Sequence, residues 1–258
     1  DRPAGRGQRV QSPPVADAAR TLGLELDQPE SVNDEGARAR IAAAAPEAVV
    51  VCAFGALIRE PLLSEHELLN VHPSLLPRWR GAAPVERAIM AGDETTGVSI
   101  MRLTAGLDSG PVCLAGEEPI APDDIYATLA ARLEELGAEL LLRALDERPP
   151  FVQQPEDGVT YADKIGPGDR TLSGADAVAS ERSVRALHPH IGARAPLADS
   201  TYLGVLRARI TEGEASEHVV AREGRLFLGA LELLEVQPPG GRPMDAAAFL
   251  RGRGVPES

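Results

Sequence analysis

Apolar positions along this chain follow two rhythms, and the change falls near residue 150. In the first part, short unbroken apolar runs alternate with segments whose apolar residues recur every three or four positions. Residues 48–54 (AVVVCAF) are a continuous apolar run, the pattern of a strand covered on both faces. Residues 68–72, 97–103 and 111–115 are further strand candidates. Helices are expected at 13–22, at 35–45 and at 84–91, where Pro84 opens the first turn and Gly92 stops the last. A long helix is expected at 123–145, with Ile125, Leu129, Leu133, Leu136, Leu140 and Leu141 on one stripe and Asp123 or Asp124 as its cap. Strands alternating with helices predict an α/β domain with a mainly parallel sheet. The legible strands are few for such a sheet, so a β-α-β segment preceding Asp1 is expected.

Beyond residue 150 the pattern shortens. Residues 151–170 are rich in Gly, Pro and Asp and read as a linker. One helix follows at about 174–187, then short strand candidates at 200–206, 208–210, 218–220, 225–228 and 231–236, and a closing helix at 246–251. Short strands at this spacing predict a small β-barrel or sandwich. The expected division is therefore a domain over 1–150, a linker over 151–170 and a second domain over 171–258.

Composition narrows the class. Hydrophobic residues make up 43% and charged residues 25% of the 258, which fits a soluble globular protein of one or two domains. No apolar run approaches the ~20 residues of a membrane span, and no leader peptide is legible, so a cytoplasmic location is expected. Cys52 and Cys113 lie in apolar runs and read as buried, reduced thiols rather than a disulfide or metal ligands. The net charge of −13 argues against a general nucleic-acid binder. The charge is uneven, however: after residue 170 ten Arg meet eleven carboxylates, so the acidity belongs to the first part. Against that trend, Arg2, Arg6 and Arg9 face only Asp1 in the first ten residues. From composition alone that stretch is either a local dock for phosphate or a solvated terminus.

Candidate chemistry concentrates in Asn70-Val71-His72-Pro73-Ser74-Leu75-Leu76-Pro77-Arg78-Trp79-Arg80-Gly81 and in Gly106-Leu107-Asp108-Ser109-Gly110. Asn70 and His72, two apart on a strand, share a face, and Pro73 ends the ladder because it has no N–H. Open α/β sheets place ligands at such carboxyl ends. An imidazole with an ordinary pKa of ~6.5 can shuttle a proton near neutrality. A carboxylate such as Asp108 can fix its tautomer, and an amide N–H of Asn70 can donate to an oxyanion. Together these groups suit acyl transfer between nitrogens, with no Ser or Cys nucleophile. Arg78, Trp79 and Arg80 read either as a stacking patch for nucleic acid or as a loop anchored by the single Trp.

The segment NVHPSLLPRWRGAAPVERAIMAGDETTGVSIMRLTAGLDSGPV resembles the 10-formyltetrahydrofolate-dependent formyltransferases, and within them the branch whose acceptor is methionyl-tRNA. The likeness extends over nearly the whole chain, from the opening DRPAGRG to the late VQPPGGRPM. It implies a Rossmann-like formyltransferase domain followed by a small OB-like β-barrel that helps hold tRNA. The family's catalytic Asn, His and Asp fall on Asn70, His72 and Asp108, and its folate-binding SLLP segment falls on Ser74, Leu75, Leu76 and Pro77. Arg2 and Arg6, in the loop implied to enter the acceptor stem, and Arg78 and Arg80 are the expected tRNA contacts. The implied reaction moves formyl from 10-formyltetrahydrofolate to the α-amine of initiator methionyl-tRNA, by a monomer, without metal or membrane.

Three departures stand against the family pattern. Its first strand, first helix and second strand do not precede Asp1, so the chain as written is expected to be poorly stable or inactive. Pro73 stands where Gly is common, and the second domain is near neutral rather than basic. The rival readings are a related formyltransferase acting on an amino-sugar nucleotide or a glycinamide ribonucleotide, and an inactive RNA-binding remnant.

Overall fold

The computed structural model describes residues 2–4 and 9–252. They divide into two compact units, one of Asp1–Ala48 with Ala56–His66 and one of Val49–Gly55 with Glu67–Ser258. The first unit opens with a hairpin of β1 (Arg2–Ala4) and β2 (Arg9–Gln11), where the sequence predicts only a loop. It continues with α1 (Pro14–Thr21), α2 (Glu35–Ala44) and the single-turn α3 (Leu62–Glu65). Asn33 ties its two stretches together: its amide donates to the Leu57 carbonyl at 2.9 Å and accepts from the Arg59 N–H at 2.9 Å.

The second unit begins with β3 (Val49–Cys52) and β4 (Leu68–His72), followed by β5 (Arg80–Gly81), α4 (Pro84–Ala91), β6 (Thr95–Arg102), β7 (Val112–Pro119) and α5 (Tyr126–Glu147). Four of these strands form a sheet in the order β3-β4-β6-β7. Only β3 and β4 run parallel; β4–β6 and β6–β7 are antiparallel. The mainly parallel sheet expected from the alternation is thus a mixed one. For β6 and β7 the reason is local: residues 103–111 are too few for the dozen or more that a parallel crossover needs, so the two strands close as a hairpin. β3 is also not covered on both faces. It occupies the edge, with Val50 40% exposed, and Cys52 is exposed and Cys113 half-buried rather than both buried.

Helix α5 lays its predicted stripe on this sheet. Leu129, Leu133 and Leu140 bury against Val98 and Ile100 of β6. Gly137 lets the helix approach β4 closely, since a Cβ there would stand 3.0 Å from Cγ1 of Val71. Asp124 does not cap α5 in the expected way. Its carboxylate takes the Ala121 N–H at 2.7 Å, the Thr128 hydroxyl at 2.7 Å and two nitrogens of Arg132 at 2.9 and 2.7 Å.

The chain continues through β8 (Tyr161–Ala162), α6 (Ala177–Leu187), β9 (Ala193–Pro196), β10 (Tyr202–Ile210), β11 (Val220–Arg222), β12 (Arg225–Leu228), β13 (Leu231–Gln237), β14 (Met244–Asp245) and α7 (Ala246–Gly252). Asp176 caps α6 by accepting the Ala179 N–H at 2.9 Å. β11-β12-β13-β10-β9 form an antiparallel sheet, with β14 added on β13. The two strands expected at 200–206 and 208–210 are one strand, β10, with an irregularity between Val205 and Ala208. The expected barrel is not closed. One hydrogen bond, from Val219 N–H to the Pro196 carbonyl at 2.9 Å, joins the sheet's two ends, but no ladder does so among the described residues. The end strands, of three and four residues, each form a ladder only with their inner neighbour, β12 and β10. Leu203, Leu226, Leu228, Leu231 and Val236 fill the core beneath α6 and α7.

Candidate active site

β4 follows from its sequence: Leu68 and Leu69 bury, Asn70 and Val71 are half-buried, and His72 closes the strand only 4% exposed. Pro73 stops the pairing there. Nε2 of His72 lies 2.8 Å from the carbonyl of Trp79. A carbonyl only accepts, so Nε2 carries the proton and, in the neutral ring, Nδ1 is the free lone pair. That nitrogen faces Oδ2 of Asp108 at 3.8 Å. Burial pushes the His72 pKa below the ordinary imidazole value; the Asp108 charge and the Trp79 carbonyl oppose that without reversing it. His72 is therefore a neutral base near pH 7.

The loop from Pro73 to Gly81 is held almost entirely by polar clamps. Ser74, fully buried, donates its hydroxyl to the Arg78 carbonyl at 2.6 Å. Ser99 of β6 donates to the Ser74 carbonyl at 2.7 Å and accepts the Leu76 N–H at 3.1 Å. Arg78 forks onto Asp93 with 2.8 and 2.6 Å contacts, and the Trp79 indole N–H reaches the same carboxylate at 2.8 Å. The Arg78 guanidinium also stacks 4.4 Å from the Trp79 ring centre. Trp79 sits in the left-handed region at φ 63°, which aims its carbonyl at His72 while its N–H donates to the Thr160 hydroxyl at 2.9 Å.

The stretch read as a linker completes this corner. β8 pairs with β5 in parallel, and the Ala162 carbonyl accepts the N–H groups of Ala82 and Ala83. Gly81, at φ 124°, passes so close that a Cβ would stand 2.8 Å from the Ala162 oxygen. Its own N–H donates to Asp108 Oδ2 at 2.9 Å. Asp108 is itself left-handed, at φ 41°. Gly110 gives its loop room, because a Cβ there would collide with the Arg102 carbonyl.

A buried neutral imidazole facing a carboxylate at a strand end can accept a proton and hold the resulting charge. Residues 1–145, over half the chain, match the formyl transferase family. The chain belongs to that family. It is 42% identical over 261 residues to the methionyl-tRNA formyltransferase of Dechloromonas aromatica, an alignment covering 98% of this chain and 85% of that protein. HypX from Aquifex aeolicus, solved in complex with tetrahydrofolic acid, shares the fold with a TM-score of 0.62 at 20% identity, over 83% of this chain but 40% of that longer one. The methionyl-tRNA formyltransferase of Clostridium thermocellum shares it with a TM-score of 0.57 at 16% identity, over 76% of this chain and 81% of that one.

Of the residues selected from the family resemblance, His72 and Asp108 come together, and Asn70 lies two residues before His72 on β4. Leu75, Leu76 and Pro77 are half-buried in the clamped loop, while the Ser74 hydroxyl is turned inward. Arg78 and Arg80 reach the same loop, but their guanidiniums bind Asp93 and Gln154. Arg6 and the Arg2 side chain lie outside the described residues. Sequence reasoning missed Asp93, Ser99, Gln154 and Thr160. Nothing in their spacing marks them, because each reaches the site only through tertiary folding; 160–162 carried only the faint signal of a β-branched and an aromatic residue in a Gly-rich stretch.

Proposed function

We infer that this protein transfers a formyl group from 10-formyltetrahydrofolate to the α-amine of methionyl-tRNA. The observation that carries the reading is the 42% identity to a methionyl-tRNA formyltransferase over 98% of the chain, together with the His72–Asp108 pair. An α-amine has a pKa of ~7.7–8.0, so a useful share is neutral near pH 7 and can attack the formyl carbon. As that C–N bond forms, the formyl oxygen becomes an oxyanion, and the Asn70 amide is the group proposed to donate to it. The amine nitrogen gives up a proton to Nδ1 of His72. The same proton then passes to N10 of the folate as its C–N bond breaks. Because Nε2–H is engaged by Trp79, a neutral His72 has no N–H for the oxyanion, which leaves that contact to Asn70. Asp108 supports the imidazolium while it exists.

The folate co-substrate is proposed to lie along Ser74–Pro77, contacted by Leu75, Leu76 and the main chain rather than by the Ser74 hydroxyl. Arg2, Arg6, Arg78 and Arg80 are proposed to meet the tRNA, with residues 171–258 as an OB-like second domain beyond a 1–150 catalytic domain and a 151–170 connector. The protein is proposed to work as a cytoplasmic monomer; no described helix is long and apolar enough to cross a membrane.

Purified full-length protein, including any segment that its gene encodes upstream of Asp1, given 10-formyltetrahydrofolate with methionyl-tRNA, an amino-sugar nucleotide or glycinamide ribonucleotide, and followed by mass spectrometry, is expected to formylate methionyl-tRNA alone. Transfer to a small acceptor would keep the chemistry and replace the substrate. Transfer to none would remove the enzyme reading.

A further inference from the structure

Gln154 follows α5 in the stretch whose composition suggests a linker. A reciprocal bridge delivers it to the site: Val152 and Val112 each donate N–H to the other's carbonyl at 2.9 Å. Its Oε1 accepts from Arg80 Nε at 2.9 Å and Nη2 at 2.7 Å. Its Nε2 donates to the carbonyls of Asp108 at 2.8 Å and Gly110 at 2.7 Å. A primary amide has two lone pairs and two N–H donors, so all four positions are used. The contacts fall on the two loops that flank His72. Arg80 adjoins Trp79 and Gly81, which hold the imidazole and the carboxylate, and Asp108 with Gly110 forms the opposing loop.

We propose that Gln154 is a positioning residue for formyl transfer, setting the gap between His72 and Asp108 by gripping both loops at once. The proposal rests on His72 and Asp108 being the reacting pair. Asp108 sits at φ 41°, in the left-handed region that Asp enters more readily than most residues with a side chain. The Gly81 N–H fixes its carboxylate, and Gln154 fixes its carbonyl. The amide also fixes a direction: an oxygen must face Arg80 and a donor must face the two carbonyls.

Gln154→Glu is nearly isosteric and keeps a partner for Arg80, but it turns an acceptor toward the carbonyls of Asp108 and Gly110. Gln154→Leu removes both grips, and Gln153→Ala, at an exposed neighbour, is the control. A misplacement of about 1 Å can cost on the order of 10²-fold, so kcat is expected to fall about 10- to 100-fold in both Gln154 variants. KM for the folate, which the Arg80 contact does not touch, is expected to stay within about threefold, since a positioning loss falls on kcat. If the Leu variant does not fold, Gln154→Glu carries the kinetic test. A second readout needs no turnover. The His72 imidazole, followed by NMR, is expected to titrate still lower in whichever variant loses the grip of Asp108 without adding charge, Gln154→Leu or the shorter Gln154→Asn. Wild-type kcat in Gln154→Glu, a loss confined to KM, or an unmoved His72 titration each overturns the proposal. Should the wild type not formylate methionyl-tRNA, the functional reading fails, and the titration still decides the role of Gln154.

Discussion

The corner around His72 and the antiparallel sheet beyond α6 are held by opposite means. Around His72 the chain is irregular, with Trp79 and Asp108 in left-handed conformations, and Asp93, Ser99, Gln154 and Thr160 each clamp it through side-chain hydrogen bonds. In the sheet the backbone is paired in antiparallel ladders, with one irregularity in β10, and the interior is Leu203, Leu226, Leu228, Leu231 and Val236, all fully buried. Apolar packing is non-directional and tolerates adjustment. Polar clamps fix an atom to a direction, which a reaction needs and a core does not. Substitutions in the two regions should therefore separate turnover from stability.

The largest separation is expected from His72→Ala. General acid–base help is typically worth ~10²–10⁴-fold, so turnover should fall by that much while circular dichroism and unfolding stay near wild type. The sheet should show the reverse. Leu231→Ala empties a fully buried position and is expected to cost about 2–5 kcal/mol in denaturant unfolding, with turnover per folded molecule unchanged. A turnover loss there would mean that the two regions are coupled.

Gly81→Ala tests the corner's main chain. A Cβ would meet the Ala162 oxygen at φ 124°, so the β5–β8 pairing must shift, and the Gly81 N–H with it. A fall in kcat of about 10- to 100-fold is expected in steady-state assays. The smallest effect should come from Asp124, a clamp away from the chemistry. Its hydrogen bonds with Arg132 lead the causes that hold its pKa at about 2, below the 3.8 of the free group. A folded-state value below the unfolded one stabilises at high pH and is lost as pH falls through the folded value. Asp124→Asn is expected to lose about 2 kcal/mol at pH 7 in chemical denaturation, and the difference should shrink as pH falls from about 4 to 2.

Much of this contrast was legible in the sequence. β4 runs over residues 68–72, α4 over 84–91 and α5 close to 123–145, because apolar period and Pro/Gly punctuation are local signals. His72 stands out at the end of an apolar strand before Pro73, whereas Asp108, in Leu-Asp-Ser-Gly, reads by itself as a turn residue and is singled out through the family resemblance. What escaped depended on contacts distant in sequence. The mixed sheet follows from the pairing of β4 with β6; in the second sheet the strand expected at 218–220 lies at 220–222, and β9 (193–196), with two alanines and a proline, gave no strand pattern. Residues 151–170 were legible as irregular chain, but Thr160 lies 81 positions from the residue it clamps, and no local pattern records that.

The central claim is that His72 works as a buried neutral base whose free Nδ1 faces Asp108. The direct measurement is the pH dependence of single-turnover formyl transfer in wild type and in Asp108→Asn, which keeps an acceptor for the Gly81 N–H but removes the charge. The account predicts a break assigned to His72 on the acid side of the ordinary ~6.5, moving lower in the variant because the charge that raises it is gone. A break at or above the ordinary value, or one that Asp108→Asn leaves in place, would contradict it.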